Sequence, residues 1–309
     1  MSIIINDATT IMIQGITGKQ GRFHAAKLID SGSNLVAGVS PSKAGETVEK
    51  IPVFDNVAHA IDAYPNINAS LILVPHKYVY NSAMEAINAQ IPLIVIITEF
   101  VPVHDSLKLI NAAHKKGVRI LGPNTIGIIS PGYTKVGIMP SYIYSQGKIG
   151  IISRSGTLTH EMASNLTFKG YGQSTCVDIG GDPLTGMSYT QLIDLFEEDN
   201  ETELIIMIGE IGGINEETAA SYIYSKGIKK PIIAYIAGRN APEGIKMGHA
   251  GAIISGNTGT AYTKIKALKN AGVLIGETMG HVLEHVEAIN RKFGDILMTV
   301  QPKVENYEI

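Results

Sequence analysis

The chain has 309 residues, 45% of them hydrophobic, which is enough for one large domain or two medium-sized domains with a substantial core. Its net charge of -3 lacks the basic excess of nucleic-acid-binding proteins, and no apolar run reaches the roughly 18 residues of a membrane span. The start MSIIINDATT is unlike a signal peptide, and a single cysteine, Cys176, excludes an internal disulfide and a cysteine-only metal cluster, so we predict a cytoplasmic protein.

The first part of the sequence alternates short apolar runs with longer amphipathic stretches. Strands are predicted at TIMIQGI, NLVAGV, ASLILVP, PLIVIIT and VRILGPN, and helices at Gln20–Ser31, near Tyr80–Ala89 and near Asp105–Lys116. These runs are apolar throughout rather than alternating, which is typical of a parallel sheet covered by helices on both sides. We therefore predict an α/β fold whose first domain is Rossmann-like and spans residues 1–130.

The alternation breaks in a segment rich in Pro, Gly and Tyr, at Pro131–Gly147, where we place the domain boundary. Further strands are predicted at KIGIISRS, TCVDIGG, ELIIMIGEIGG, PIIAYIAG and VLIGE, and helices from about Gly156, near Tyr189–Glu197, near Glu216–Ser225, near Thr260–Ala271 and over Gly280–Lys292. This second series predicts another doubly wound domain over residues 146–292, followed by a tail over residues 293–309.

A glycine-rich turn, QGITGKQGRF, follows the first predicted strand and precedes a helix. Its glycines allow backbone N–H groups at the helix N-terminus to approach phosphates, although a tight turn without a ligand is the alternative. About 20 residues on, where an acidic residue binds the ribose of NAD, this chain has Lys43. A lysine suits the additional ribose phosphate of coenzyme A or NADP, and a solvated loop lysine is its alternative role.

A second anion site is predicted at SRSGTLTHE, where Ser155 and Gly156 begin a helix after a buried strand. Ser155 also suits a helix N-cap, and the two roles are compatible.

Among nine histidines, His249 stands out because small residues surround it in MGHAGAI. A neutral imidazole accepts a phosphoryl group when a carboxylate fixes its tautomer, and Glu210, at the end of a predicted strand, is the candidate carboxylate. The spacing alone leaves a structural role for His249 open. No HExxH motif and no G-x-x-x-x-G-K-[ST] motif occurs, so we predict neither a metal site nor an ATP-binding P-loop in this chain.

Nine segments resemble, in the same order, the α subunit of the succinyl-CoA synthetase family: QGITGKQG, SPSKAG, IITE, GPNT, KVGIMP, SRSGTLT, STCVDIGGDP, MIGEIGG and KMGHAGAI. The resemblance runs from about Ile3 to Ala288. It implies a CoA-binding Rossmann-like domain followed by a flavodoxin-like domain that carries a phosphohistidine loop. The residues that it places against coenzyme A are Thr17, Gly18, Lys19, Gln20, Lys43, Ile97, Thr98 and Glu99.

The resemblance also implies a reaction, in which an acid, coenzyme A and ATP or GTP form an acyl-CoA through an acyl phosphate. His249 would carry the phosphoryl group, Glu210 would orient it, and Ser155 and Gly156 would bind it. A separate ATP-grasp β subunit would bind Mg²⁺ and the nucleotide in an αβ or α2β2 assembly, which would account for the missing P-loop.

Two departures from the family pattern concern the acid. His160 stands where the family has tyrosine after SGTLT, and Thr125-Ile126 replace a Cys-Pro pair. Since these segments line the acid end of the family's pocket, succinate is our first prediction, with malate or citrate as alternatives.

Two hypotheses from other classes remain. An NADP-dependent oxidoreductase would leave the SRSGT and GHAGAI loops unexplained, and a non-catalytic CoA-binding module would leave His249 and Glu210 without a role.

Overall fold

The computed structural model describes residues 2–254, 256 and 258–299. The first sheet has seven strands: β1 (Thr10–Gln14), β2 (Asn34–Val39), β3 (Thr47–Val48), β4 (Ile51–Phe54), β5 (Ala69–Ile72), β6 (Leu93–Ile96) and β7 (Arg119–Leu121). Its helices are α1 (Lys19–Asp30), α2 (Val57–Ala63), α3 (His76–Asn88) and α4 (Val103–Lys116).

The strand order of this sheet is β3-β4-β2-β1-β5-β6-β7, and all pairs are parallel except β3 with β4. Without β3, this is the 3-2-1-4-5-6 order of the Rossmann fold, in which ligands bind where the order reverses, here between β1 and β5. Every residue of β1 and β5 is buried, which explains why these strands are mostly apolar on both faces, with Gln14 of β1 donating to Ser70 of β5 at 3.1 Å.

The second sheet also has seven strands: β8 (Gly127–Ser130), β9 (Thr134–Gly137), β10 (Gln146–Ser153), β11 (Gln173–Asp178), β12 (Leu204–Glu210), β13 (Ile232–Ala237) and β14 (Leu274–Gly276). A 3₁₀ helix spans Ser141–Ile143, and the α-helices are α5 (Gly156–Phe168), α6 (Tyr189–Glu198), α7 (Asn215–Lys226), α8 (Ala261–Asn270) and α9 (Met279–Lys292).

The order of the second sheet is β14-β13-β12-β10-β11-β8-β9. Its parallel strands follow the flavodoxin order 2-1-3-4-5, and the order reverses between β10 and β12. The predicted α/β fold with two doubly wound sheets is confirmed. A continuous core joins the sheets, since Ile13 and Leu71 belong to the same buried cluster as Ile152 and Val177. In the described part of the chain, no helix has the length and apolar character needed to cross a bilayer.

Several boundaries differ from the sequence prediction. Residues 127–130, which fall inside the predicted bounds 1–130 of the first domain, form β8, a strand that was not predicted and that pairs antiparallel with β11 of the second sheet. Its sequence GIIS is apolar, and local pattern does not reveal which sheet a strand joins. Helix α3 begins at His76 rather than near Tyr80, because Pro75 occupies the N-cap. The short elements between Thr47 and Ala63 were not predicted.

The predicted tail at residues 293–309 lies partly outside the described residues, which end at Thr299. Before that point the chain packs on the second domain: Leu297 is buried, Met298 pairs with Tyr171, and the backbone N–H of Thr299 donates to the Gly170 carbonyl at 2.9 Å.

Candidate active site

A cleft of about 770 Å³ opens between the carboxyl ends of the two sheets. Residues that follow β1, β5, β6 and β7 line it from one side, and residues that follow or end β10 and β11 line it from the other. The switch point of the first sheet, between β1 and β5, therefore faces the cleft together with the carboxyl ends of β10 and β11, and a switch point is where ligands bind in open α/β sheets. The site residues predicted from the sequence that line it are Gly18, Lys19, Gln20, Ile97, Thr98, Glu99, Gly156, His160 and His249.

The glycine-rich turn brings the N-terminus of α1 to the cleft, with Gly18 as its N-cap. Gly15 has a φ of +87°, and a Cβ at Gly21 would lie 2.2 Å from the Gly15 carbonyl oxygen, so both positions require glycine. Thr17 is not among the lining residues, and its hydroxyl donates to the Ser40 hydroxyl at 2.9 Å. The turn therefore presents helix-terminal N–H groups, the usual partners of phosphate.

The segment after β6 forms the adjoining wall with Ile97, Thr98 and Glu99. The Thr98 hydroxyl donates to the Val74 carbonyl at 2.7 Å and ties this wall to the segment after β5. Lys43, the other predicted CoA contact, lies outside the cleft lining, and its ammonium pairs with the exposed Glu46 carboxylate at 2.8 Å.

Helix α5 points its N-terminus at the cleft. Ser155 is the N-cap and accepts a hydrogen bond from the Leu158 N–H at 3.4 Å, while Gly156 lines the cleft beside Thr157. A Cβ at Gly156 would lie 2.7 Å from Ile126 Cγ2, so the helix start packs directly against the segment after β7. The unpaired N–H groups and the helix dipole favour an anion here.

His249 and Glu210 are in contact although 39 residues separate them. The His249 Nδ1 lies 2.7 Å from Glu210 Oε2, and this hydrogen bond raises the pKa of His249 more than burial lowers it. The Glu210 side chain is 8% exposed, and that of His249 is 31% exposed. Because Glu210 engages Nδ1, Nε2 is the ring nitrogen available for chemistry. Gly181 permits the approach of this loop, since a Cβ there would lie 2.6 Å from the ring.

Two charged residues of the site, Arg154 and Asp178, were missed by the sequence analysis. The buried Arg154 guanidinium lies 3.7 Å from Glu210 Oε1 and donates to the Asp182 carbonyl at 3.1 Å. Burial raises the pKa of Asp178 to about 6, although its carboxylate accepts the backbone N–H groups of Ile126 and Gly180. The sequence feature that could have indicated both residues is a single charged residue at the end of an apolar strand, Arg154 in IISRS and Asp178 in TCVD.

His160 lies on α5 and lines the cleft. Its ring meets the Tyr144 ring edge to face, with centroids 6.2 Å apart, and burial lowers its pKa. Its Nε2 is buried and has no hydrogen-bond partner among the described residues. A neutral imidazole with a free ring nitrogen at this point is suited to contact a polar group of a ligand.

Comparison with known protein families gives one match in each of the two domains. The family model described as "CoA binding domain" matches residues 6–100, and the one described as "CoA-ligase" matches residues 152–274. The first match covers the glycine-rich turn and the second covers the loops of Ser155, Glu210 and His249.

Relatives match along nearly the whole chain. The chain is 48% identical to subunit alpha 2 of ADP-forming succinate–CoA ligase from Archaeoglobus fulgidus, over 94% of this chain and 100% of the relative. It is 49% identical to subunit alpha of ADP-forming succinate–CoA ligase from Aquifex aeolicus, over 93% of this chain and 96% of the relative.

Solved structures share the fold. ATP citrate lyase from Methanosaeta concilii, in complex with (3S)-citryl-CoA, matches 98% of this chain with a TM-score of 0.87 and 24% identity. A dinucleotide-forming acetyl-coenzyme A synthetase from Ca. Korarchaeum cryptofilum matches 87% with a TM-score of 0.69 and 22% identity. The chain covers 53% and 58% of these longer proteins. The sequence identity to the curated relatives along almost the entire length shows that the chain belongs to the family of the alpha subunits of ADP-forming succinate–CoA ligases.

Proposed function

We propose that this chain is the CoA-binding, phosphoryl-carrying subunit of a nucleotide-diphosphate-forming acid–CoA ligase that acts on succinate in the cytoplasm. The observation that carries the proposal is the His249–Glu210 pair, joined at 2.7 Å, because its histidine lines the same cleft as the glycine-rich turn. A phosphoryl acceptor and a phosphate-binding turn that face one cavity suit a reaction between a phosphorylated acid and coenzyme A.

Coenzyme A would bind along the wall formed by the α1 N-terminus and the segment after β6. Gly18, Lys19 and Gln20 would meet its phosphates, and Ile97, Thr98 and Glu99 would flank the chain that carries the thiol. Lys43 would reach the ribose phosphate by exchanging its present partner, Glu46, for that phosphate.

His249 would hold the phosphoryl group on Nε2 while Glu210 keeps the Nδ1 tautomer. The phosphoryl group would pass to the acid carboxylate, and attack of the CoA thiolate on the resulting acyl phosphate would release phosphate. The α5 N-terminus, with Ser155 and Gly156, and the buried Arg154 would stabilise the phosphoryl charge.

ATP or GTP and Mg²⁺ would be held by an ATP-grasp β subunit in an αβ or α2β2 assembly. The absence of a P-loop motif in this sequence supports that division of labour.

The acid would be bound beside His160 and Ile126, which both line the cleft. The test is thioester formation by the chain with its β partner, supplied with coenzyme A, Mg²⁺ and ATP or GTP, on succinate, malate and citrate. Succinate is expected to react fastest. If malate or citrate reacts faster, the substrate assignment is wrong and His160 is the first residue to vary. If a complex that binds coenzyme A turns over no acid, the chain is a CoA-binding module.

The Glu210→Gln substitution is expected to lower turnover by about 100-fold and to move the acid limb of the pH profile to lower pH. The Glu210 hydrogen bond raises the pKa of His249, so the wild-type imidazole stays protonated, and unable to accept a phosphoryl group, up to a higher pH. Without that carboxylate the imidazole becomes neutral at lower pH.

The neighbouring Asp178, with a pKa raised to about 6, and the Arg154 guanidinium remain in the variant. Asp178 raises the pKa of His249, whereas Arg154, which loses the Glu210 carboxylate as its counter-charge, lowers it in the same direction as the expected shift. Rates of histidine phosphorylation between pH 5 and 9, roughly spanning the histidine pKa range, measure the shift. The exposed Glu277→Gln is the matched control, and an unmoved acid limb in Glu210→Gln would contradict the assigned role.

A further inference from the structure

The Asp178 carboxylate contacts two different segments of the active-site cleft, one with each oxygen. Asp178 is the last residue of β11, lines the cleft and is 2% exposed. Its Oδ2 accepts the backbone N–H of Ile126, in the segment after β7, at 2.9 Å. Its Oδ1 accepts the backbone N–H of Gly180, in the segment after β11, at 3.3 Å. A single buried side chain therefore links these two segments.

The segment after β7 forms the wall of the cleft beside the α5 N-terminus. The Thr125 hydroxyl donates to the Asp178 carbonyl and accepts the backbone N–H of Gly127 at 2.9 Å, so three consecutive residues are held on the end of β11. Ile126 lines the cleft, and a Cβ at Gly156 would lie 2.7 Å from its Cγ2. A displacement of Ile126 would therefore change the space in front of α5, where the acid is proposed to bind.

The segment after β11 supports the His249 ring. Gly180 has a φ of +105°, and the next residue, Gly181, packs so closely on the ring that a Cβ there would lie 2.6 Å from it. The backbone N–H of Gly181 donates to the Asn124 carbonyl at 3.0 Å, and its carbonyl accepts the N–H of Gly251 at 3.4 Å. The position of Gly180 therefore affects where the His249 ring lies.

We propose that Asp178 is a positioning residue: its ionised carboxylate sets the distance between Ile126, at the acid end of the cleft, and the segment that supports His249. This role rests on the proposed function, in which the phosphoryl group passes from His249 to the acid. An ionised carboxylate accepts at both oxygens, and such bonds are about twice as strong as neutral ones. Protonation turns one oxygen into a hydroxyl and weakens the link to one segment. Because burial raises the pKa of Asp178 to about 6, that change is measurable in the folded protein.

Other ionisable side chains near Asp178 have to be separated from it in a pH experiment. They either interact with its charge or lie at the neighbouring strand ends: Tyr144, Tyr189, His249, Asp182, Glu210 and Arg154. Burial raises the pKa of both tyrosines, so their hydroxyls stay neutral in the acid range. Burial also raises the pKa of Asp182, and the Glu210 hydrogen bond raises that of His249, so these two residues need control variants.

The direct test follows the amide NMR signals of Ile126 and Gly180 against pH, in the full chain carrying isotope-labelled isoleucine and glycine. In the wild type both signals should shift with an apparent pKa of about 6, as the carboxylate that accepts them becomes protonated. The shifts should persist in His249→Asn and in Asp182→Asn and should disappear in Asp178→Asn. Amides that do not titrate in this range, or a titration that is lost with His249 or Asp182 instead, would overturn the proposal.

The functional test compares the KM values of Asp178→Asn and wild type, each with its β partner. The asparagine side chain has one oxygen and accepts only one of the two N–H groups, so the acid KM should rise about tenfold or more. The coenzyme A KM should stay within about twofold, since Asp178 does not hold Gly18, Lys19 or Gln20.

The exposed Asp62→Asn is the matched control and should leave both KM values unchanged. An unchanged acid KM in Asp178→Asn would contradict the positioning role. Should that variant fail to fold, the amide titrations of wild type, His249→Asn and Asp182→Asn decide the question. Absence of turnover in the wild type would contradict the proposed function, whereas the amide titration reports the two hydrogen bonds of Asp178 independently of it.

Discussion

The His249→Asn substitution is expected to reduce acyl-CoA formation by on the order of 10⁴-fold or more, because asparagine has no nitrogen that accepts a phosphoryl group. Coenzyme A binding should persist, since its proposed contacts are at the α1 N-terminus and the segment after β6. The measurements are thioester formation with the β partner, incorporation of labelled phosphate into this chain, and CoA affinity by calorimetry.

The control for this variant is His104→Asn, which changes an exposed histidine on α4. It should retain wild-type turnover and labelling. Retained labelling in His249→Asn would mean that another side chain carries the phosphoryl group. Loss of CoA binding together with turnover would mean that the substitution damages the cleft as a whole, and the carrier role would then lack support.

The Lys264→Met substitution is expected to lower the free energy of unfolding of the second domain by about 3–5 kcal/mol. The Lys264 ammonium is fully buried, pairs with the fully buried Glu216 and with Glu217 at 3.1 Å, and donates to the Gly213 carbonyl at 3.1 Å. Removing it leaves a buried carboxylate unpaired, which costs far more than the loss of a surface ion pair.

This network also supports the active site. Glu216 Oε1 accepts the backbone N–H of Glu210 at 3.2 Å, so loss of Lys264 releases the strand end that holds the His249 partner. Urea unfolding followed by fluorescence and circular dichroism measures the effect. The exposed Lys266→Met, on the same helix, is the control and should change stability by less than about 0.5 kcal/mol. A similarly small loss in Lys264→Met would show that the ion pairs contribute little.

The local pattern of the sequence was sufficient for the two series of strands and helices. Buried parallel strands such as β1 and β12 contain short apolar runs. The shortness of these runs and the glycine-rich turns beside them distinguish such strands from helices in the sequence. Short elements such as β3, β4 and α2 were missed because they contain too few residues for a period to show. Strand β8 was not predicted, and its pairing with the second sheet was not foreseen, because pairing partners depend on chain topology rather than on local composition.

The sequence by itself determined the family and the positions of the two strand-to-helix turns that begin α1 and α5, because motifs with special backbone needs, such as Gly15 and Gly21, are visible in one dimension. It also predicted His249 and Glu210 as a candidate pair. Only the tertiary structure decided which side chains meet. The strand order brings together the ends of β10, β11 and β12 and so places Glu210, Asp178 and Arg154 near His249, where Glu210 and Asp178 raise its pKa and Arg154 lowers it. Such contacts depend on chain topology and on which side chains become buried together, and no local pattern in the sequence records either.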